Sequence, residues 1–378
     1  MASRKSDAIA AEKPSIGDTR ATAANGNPLL NAAGCAAIFR AVSTEIAEGV
    51  VMIVLVTGAT GFIGGRLCEK LIHQGCNVRA LVRDLARASE LREHGVETML
   101  GDLRDRASLE RATADVDTVY HFAAVFRREV PRKEIWRTNV DGIENLLDAA
   151  ARSGVKRFIH CSSTSVYGLR PRTPTTEDSP FVPIRGDLYQ ASKLAAERHV
   201  LCYGSRGNLA TTIIRTTGVY GPGDLRFLKL FKAIARKRFV MIGRGEVLFS
   251  MIYIDDLLDG IVRCATKTSA MNNHYLLTGN KPITLNDTVR IIAEAIGVPP
   301  PRLHVPVMPL YYVGLFMEWI LKPLGISPPL FRRRVNFFRV SRGFDNSKAK
   351  QELGFDPKID LATGTRKTMD WYRSKGLL

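Results

Sequence analysis

One stretch limits what this chain can fold into more than any other: MIVLVTGATGFIGG, Met52 to Gly65. An unbroken apolar run of strand length enters a glycine turn. The chain continues as FIGGRLCEKLIHQG, a helical pattern closing at Gly75. A strand, a glycine-rich turn and a helix in immediate succession form the dinucleotide-binding arrangement. Gly58 permits the tight turn, Gly61 lets backbone approach a pyrophosphate, and Gly64 allows close packing of helix on strand. Thr60, Phe62 and Ile63 occupy the turn and the first helical turn, whose free N–H groups and dipole favour phosphate. Such turns also occur without a ligand, but the strand–turn–helix context favours binding at Gly58, Thr60, Gly61, Phe62, Ile63 and Gly64.

Further apolar runs follow at NVRALVRD, VETMLGDL, VDTVYHFAA, VKRFIHCSS and ATTIIRTTGVYG, the later ones separated by helical stretches such as TNVDGIENLLDAAARSG. Buried Val/Ile/Leu runs alternating with helices predict an α/β fold, a doubly wound parallel Rossmann sheet. Right-handed crossovers align the strands' C-terminal ends along one edge, where ligands bind. Past about residue 220 the alternation weakens. The domains are therefore read as 52–220 for nucleotide binding and 221–378 mainly for a smaller substrate-binding lobe, some of whose segments return to the first domain.

Residues 1–51 are rich in Ala, Ser, Thr and Gly without a sustained period, and fit neither a secretory signal nor a mitochondrial leader. They are read as disordered through about residue 35, with a short helix over 36–48. Met52, at the head of the first strand, is the expected initiator, which would make residues 1–51 a mis-assigned extension. The six cysteines show no paired metal-ligand spacing, so free thiols in a reducing cytoplasm are expected and no metal site. Fifty-four basic against thirty-seven acidic residues give a formal charge of +17, which suits an anionic ligand or surface. Zinc-finger and RNA-binding signatures are missing, so nucleic acid is not an expected partner.

The end of the second strand is where such folds read the adenosine ribose. A carboxylate there favours a free 2′-hydroxyl, whereas this chain has Arg83 followed by Asp84. A guanidinium pairs well with a phosphate dianion, so the cofactor is read as NADP in preference to NAD. Asp84 on the ribose after a one-residue shift is the alternative. Asp102 is placed to accept from the adenine amino group and Leu103 to pack on its ring. Ala123 and Ala124 end the fourth strand beside the cofactor. The fifth strand ends in CSSTSVYG, which brings Ser162 or Ser163 to the nicotinamide end. DLYQASKLAAER places Tyr189 and Lys193 one helical turn apart on one face. An unperturbed phenol ionises near pH 10, and a neighbouring ammonium lowers that value. Tyr189 can then exchange a proton with an alcohol or carbonyl while hydride moves to or from the nicotinamide.

TGATGFIG, SSTSVYG, YQASK, RTTGVYGPGD, MIYIDD and FDNSKAKQELGF together resemble the extended short-chain dehydrogenase/reductase family, also called the NAD-dependent epimerase/dehydratase family, from about Met52 to the C-terminus. The resemblance implies Ser163, Tyr189 and Lys193 as the catalytic set. It further implies Lys193 on the nicotinamide ribose and Asn139 of TNVDG supporting the network. Sugar-nucleotide members carry a stretch like GxGxxxRxFxYVxD, whose arginine grips the substrate diphosphate. This chain reads GRGEVLFSMIYIDD, with Phe249 at that place and Arg244 or Arg226 as the cations that could substitute. The apolar block Pro309 to Ile326, interrupted by Glu318, Lys322 and Pro323 and followed by Arg332 to Arg334, resembles the 3β-hydroxysteroid dehydrogenase/dihydroflavonol reductase-like branch. It is read as a lid or core element, with peripheral membrane contact through 309–334 as the alternative. The expected activity is NAD(P)-dependent interconversion of a secondary alcohol and a ketone on a sterol-like or flavanonol-like small molecule. A nucleotide-sugar 4-epimerase or dehydratase is the runner-up, and a non-catalytic cofactor sensor the remote third. Homodimerisation is left open.

Overall fold

The apolar runs pair side by side. In the computed structural model, which describes residues 52–378 other than 127–129, 170–172, 208, 322–334 and 336, seven strands form one parallel sheet. They are β1 (Ile53–Thr57), β2 (Asn77–Val82), β3 (Glu97–Leu100), β4 (Thr118–His121), β5 (Arg157–Ser163), β6 (Ala210–Thr216) and β7 (Asn273–Leu277), in the order β7-β6-β5-β4-β1-β2-β3. The order reverses beside β1, so the crevice between β1 and β4 is the topological switch point at which open α/β sheets bind ligands. The expectations for residues 1–51 and for Arg332 to Arg334 lie outside the described residues.

The central strands are buried along nearly all their length because both faces are covered, whereas the edge strand β3 is exposed at Glu97 and Leu100. Val54 and Val56 point into one core, shared with α1 (Phe62–His73) and α5 (Ile254–Thr266). Leu55 points into the other, shared with α2 (Arg106–Thr113), α3 (Gly142–Arg152) and α4 (Leu188–Ser205). A third cluster, including Phe231, Ile234, Met241, Val289, Ile292 and Tyr372, is built by segments after residue 220, among them α6 (Leu285–Ile296) and α7 (Leu361–Ser374).

Two features depart from the pattern expected above. The run ATTIIRTTGVYG does not continue as one strand: it breaks at Thr217, and Gly218–Tyr220 pairs instead with Met251–Tyr253. The sheet also gains β7, whose sequence NHYLL is too polar at its start to stand out from its surroundings. The five described cysteines are all free.

Candidate active site

Gly58 follows β1 with φ +76°, and a Cβ there would lie 2.6 Å from the backbone nitrogen of Ala123. The turn and the end of β4 are thus in backbone contact, which only glycine permits. A Cβ on Gly64 would lie 2.3 Å from the carbonyl oxygen of Gly58, so the first turn of α1 packs directly on the glycine loop. Gly61 caps α1 through extended backbone, with no side chain accepting from the first turn and no acid within it. The N–H groups of that turn and the helix dipole suit a pyrophosphate. Exposed Thr60 and half-buried Phe62 and Ile63 line this mouth, and the residues present fit a dinucleotide.

Arg83 is exposed immediately beyond β2, and its positive charge contributes to holding the Asp102 carboxyl below its ordinary range. The first cause of that lowering is Arg104, whose Nε and Nη2 donate to the two Asp102 carboxylate oxygens at 2.8 Å each. An adenine amino group would therefore share an already occupied acceptor. Leu103 is buried, 5% exposed, against Gly142. Half-buried Ala123 and Ala124 follow β4, and the Ala123 N–H donates to Thr57 Oγ1 at 3.4 Å.

At the other end of the crevice the pleat separates the two candidate serines. Ser162 is 3% exposed, and its hydroxyl donates to the Glu197 carboxylate beneath the sheet. Ser163, half-buried, points the other way and accepts from the Ser165 N–H at 3.1 Å. Side-chain alternation along β5 thus leaves Ser163 as the serine available to the crevice. Lys193 on α4 is 4% exposed, and its ammonium donates to the Cys161 carbonyl of β5 at 2.8 Å. Burial lowers its pKa, while Cys161 and Glu197 pull in the opposite direction. Tyr189, one turn earlier, is half-buried, its ring edge-on to Phe126 at 4.8 Å between centroids.

Asn139 sits in a single π-helical turn, Arg137–Asp141, of a kind frequent at functional sites. It is 3% exposed, accepts from the Val125 N–H at 2.7 Å, and donates to the Val125 carbonyl at 3.1 Å and to Ser192 Oγ at 3.0 Å. It ties the loop after β4 to the helix carrying Tyr189 and Lys193. Gln190 does the same from the other side, donating to the Ser165 and Val182 carbonyls at 2.8 Å each. Neither Ser192 nor Gln190 was singled out from the sequence, although both lie inside YQASK. Their roles depend on loops distant in the chain.

Beneath the crevice, His121 Nδ1 lies 2.8 Å from Thr57 Oγ1, and its ring stacks on His160 at 5.4 Å. Both rings are 1% exposed, and neither His160 nitrogen has a hydrogen-bond partner among the described residues. Burial first and the Lys193 charge second push His121 down to about 3 and His160 well below its usual value. Both are neutral at pH 7. Unfolded histidine binds its proton near pH 6.5, so between that pH and the depressed native values the unfolded state holds more protons. Their contribution is fully present above pH 6.5 and declines as pH falls, by about 1.4 kcal/mol per unit for each ring. These two rings should contribute up to about 4 kcal/mol of the difference between denaturant unfolding at pH 5.0 and pH 7.5, with His274, which burial lowers to about 4, adding to it in the same sense. His160→Leu should remove about half of that slope, and an unchanged slope would contradict it.

The site lies on a strand-ordered crevice of the kind built for nicotinamide dinucleotides. The model of the NAD dependent epimerase/dehydratase family matches residues 54–277, and the chain belongs to that family. It is similar to 3beta-hydroxysteroid-dehydrogenase/decarboxylase isoform 1 of Arabidopsis thaliana, 29% identical, covering 84% of this chain and 79% of the relative. It is also similar to sterol demethylase protein B of Methylococcus capsulatus, 31% identical, covering 86% and 100%. Among solved structures it resembles gox2253, with TM-score 0.73, 30% identity and coverage of 86% and 99%. It likewise resembles MoeE5 in complex with UDP-glucose and NAD, with TM-score 0.67, 27% identity and coverage of 85% and 99%. The chain is an NAD(P)-dependent enzyme of the extended short-chain dehydrogenase/reductase type.

Proposed function

We propose that this enzyme interconverts a secondary alcohol and a ketone on a fairly apolar, sterol-like or flavanonol-like molecule. The observation that carries the reading is Phe249, in the place where sugar-nucleotide relatives hold a diphosphate-gripping arginine. Its ring lies 5.1 Å from Phe337, centroid to centroid, and lines a cavity of about 210 Å³ with Phe227, Phe231 and Phe338. No residue lining that cavity is charged. An apolar cavity of about 150 Å³ takes benzene, so this one has room for part of a fused-ring molecule. Gly218, on which Phe249 and Phe227 pack, follows by two residues Thr216, the register partner of Ser163.

Neither alternative cation replaces the missing arginine here. Arg226 is engaged by Asp224 at 2.6 Å and lies over the Phe62 ring, and exposed Arg244 does not line the cavity. Beside the cavity stands the Arg342 cation, over the Phe337 ring at 5.5 Å. The sugar-nucleotide epimerase reading is the weaker one because the cavity lining is uncharged, with Phe249 in the arginine's place.

A nicotinamide dinucleotide held by the glycine loop at 58–64 and by Lys193 would supply or accept the hydride. In the proposed mechanism Tyr189 holds the proton exchanged with the substrate oxygen, and the Lys193 charge favours its ionised form. Ser163 donates a hydrogen bond to the same oxygen. Buried Asn139, Ser192 and Gln190 keep the helix bearing Tyr189 in register with β5. Screening purified protein for absorbance change at the nicotinamide band against steroid, flavonoid and sugar-nucleotide panels tests the reading. Stoichiometric cofactor turnover with a steroid or flavonoid is expected. Activity confined to sugar nucleotides, with no net cofactor change, would overturn it.

The preference for NADP is part of the same proposal, supported by Arg83 beyond β2. Arg83→Ala should weaken NADP binding at least about tenfold, the loss of a charge-assisted phosphate contact. NAD binding should change by less than about twofold. Equal effects in a binding titration would mean that Arg83 does not read the phosphate.

A further inference from the structure

We infer that Phe126 is a specificity-determining residue of the same site, the wall on which a fused-ring substrate lays its apolar face beside Tyr189. The inference rests on the acid/base reading of Tyr189 and goes beyond it by naming what the substrate touches next. Phe126 is 37% exposed, and a single exposed ring ordinarily signifies nothing. This one is held at the reacting group. Its ring meets the Tyr189 ring edge-on, with 4.8 Å between centroids and 74° between planes. The residue before it, Val125, is fixed at both backbone groups by the Asn139 amide, at 2.7 Å and 3.1 Å. That amide also donates to Ser192 Oγ at 3.0 Å, and the Ser192 hydroxyl donates in turn to the Tyr189 carbonyl at 2.8 Å. A closed chain of contacts thus runs from the Phe126 ring to Tyr189 and back through Ser192, Asn139 and Val125.

Keeping a large apolar side chain partly in water costs free energy, which a loop could recover by turning the ring inward. The Asn139 amide, 3% exposed, holds the loop against that movement. The gain is an apolar surface preorganised beside the phenol, so that little ordering is left to occur on binding. A substrate whose oxygen is bonded to Tyr189 and Ser163 brings its carbon skeleton to this ring. Contact there removes the exposed part of the ring from water and keeps water away from the proton transfer. A fused carbocycle buries apolar area on both partners, which a small ketone does much less.

The test is the steady-state kinetics of the full chain, with saturating cofactor, on cyclohexanone, 2-decalone and a 3-ketosteroid. Phe126→Ala should raise KM for the steroid about tenfold and for cyclohexanone less than about twofold, with kcat within about threefold. Phe126→Leu, which keeps an apolar surface, should recover most of the loss. Cofactor affinity and the pH profile of kcat should match the parent, because Tyr189 and Lys193 are untouched. Phe126→Trp gives a readout independent of turnover: relative to the parent, its emission should shift to shorter wavelength when steroid joins the cofactor-loaded protein. An unchanged steroid KM in Phe126→Ala, or a rise equal for all three ketones, would overturn the inference. A fall in kcat at unchanged KM would overturn it too, since Phe126 would then only orient Tyr189. A parent that acts on sugar nucleotides and on none of these ketones would instead overturn the proposed function, and this inference with it.

Discussion

Tyr189→Phe should lower turnover by about 10²–10⁴-fold, the range associated with losing a positioned proton donor or acceptor. The expectation follows from how little else the substitution changes. The Tyr189 ring is half-buried and edge-on to Phe126, and phenylalanine keeps that contact. The helix start is fixed independently, by Asp187 accepting from the Gln190 N–H and by Gln190 donating to the carbonyls of Ser165 and Val182. Cofactor affinity should therefore stay within about threefold, since the glycine loop and Lys193 are untouched. Lys193→Ala should differ, weakening cofactor binding and turnover together, because the proposal gives the ammonium both the ribose and the tyrosine. Turnover within about threefold of the parent in Tyr189→Phe would remove the proposed acid/base.

The second large effect concerns stability. Arg215 and Glu197 form an ion pair with both side chains 3% exposed, Nη2 to Oε2 at 2.9 Å. The guanidinium also donates to Tyr167 Oη at 2.8 Å and to the Glu177 carbonyl at 3.2 Å, and lies over the Phe181 ring at 4.8 Å. The carboxylate takes the Ser162 hydroxyl as well. Two ions this deep are tolerable only because every partner is present. Removing one leaves the other charged, buried and unpaired, which costs about 3–5 kcal/mol. Arg215→Met should therefore destabilise by that amount, lowering the melting temperature by roughly 4–7 °C. Adding Glu197→Leu should restore part of the loss, because it removes the stranded charge. A loss below about 1 kcal/mol in the single variant would show that Glu197 is relieved by water or by protonation. The effect reaches the site through Ser162, the neighbour of Ser163, and through α4, which carries Glu197 one turn beyond Lys193.

The residues that were legible in the sequence are those whose function is local. TGATGFIG is read from one strand, one turn and one helix, and YQASK from one helical face. The seven-stranded sheet was largely legible for the same reason, since six of its strands fall within the stretches read as strands from their own sequence. β7 was not, because its place is fixed by pairing with β6 and not by its own pattern. The family resemblance already implied Ser163 over Ser162; what one dimension does not show is that the pleat turns the Ser162 hydroxyl onto Glu197. Arg215 stood in a quoted motif, yet nothing in one dimension pairs it with Glu197. The phenylalanine cavity is the extreme case. Its lining comes from positions between Tyr220 and Thr365 that become neighbours only in the folded chain.

The most direct test of the central proposal follows the hydride itself. The enzyme would be mixed with nicotinamide cofactor deuterated at C4 and a panel of 3-ketosteroids, and the product alcohols analysed by mass spectrometry. One deuterium per molecule of alcohol formed and per molecule of cofactor oxidised is the predicted result, abolished in Tyr189→Phe. Alcohol without label, or label that appears only in a sugar nucleotide while the cofactor stays bound and unchanged, would contradict it.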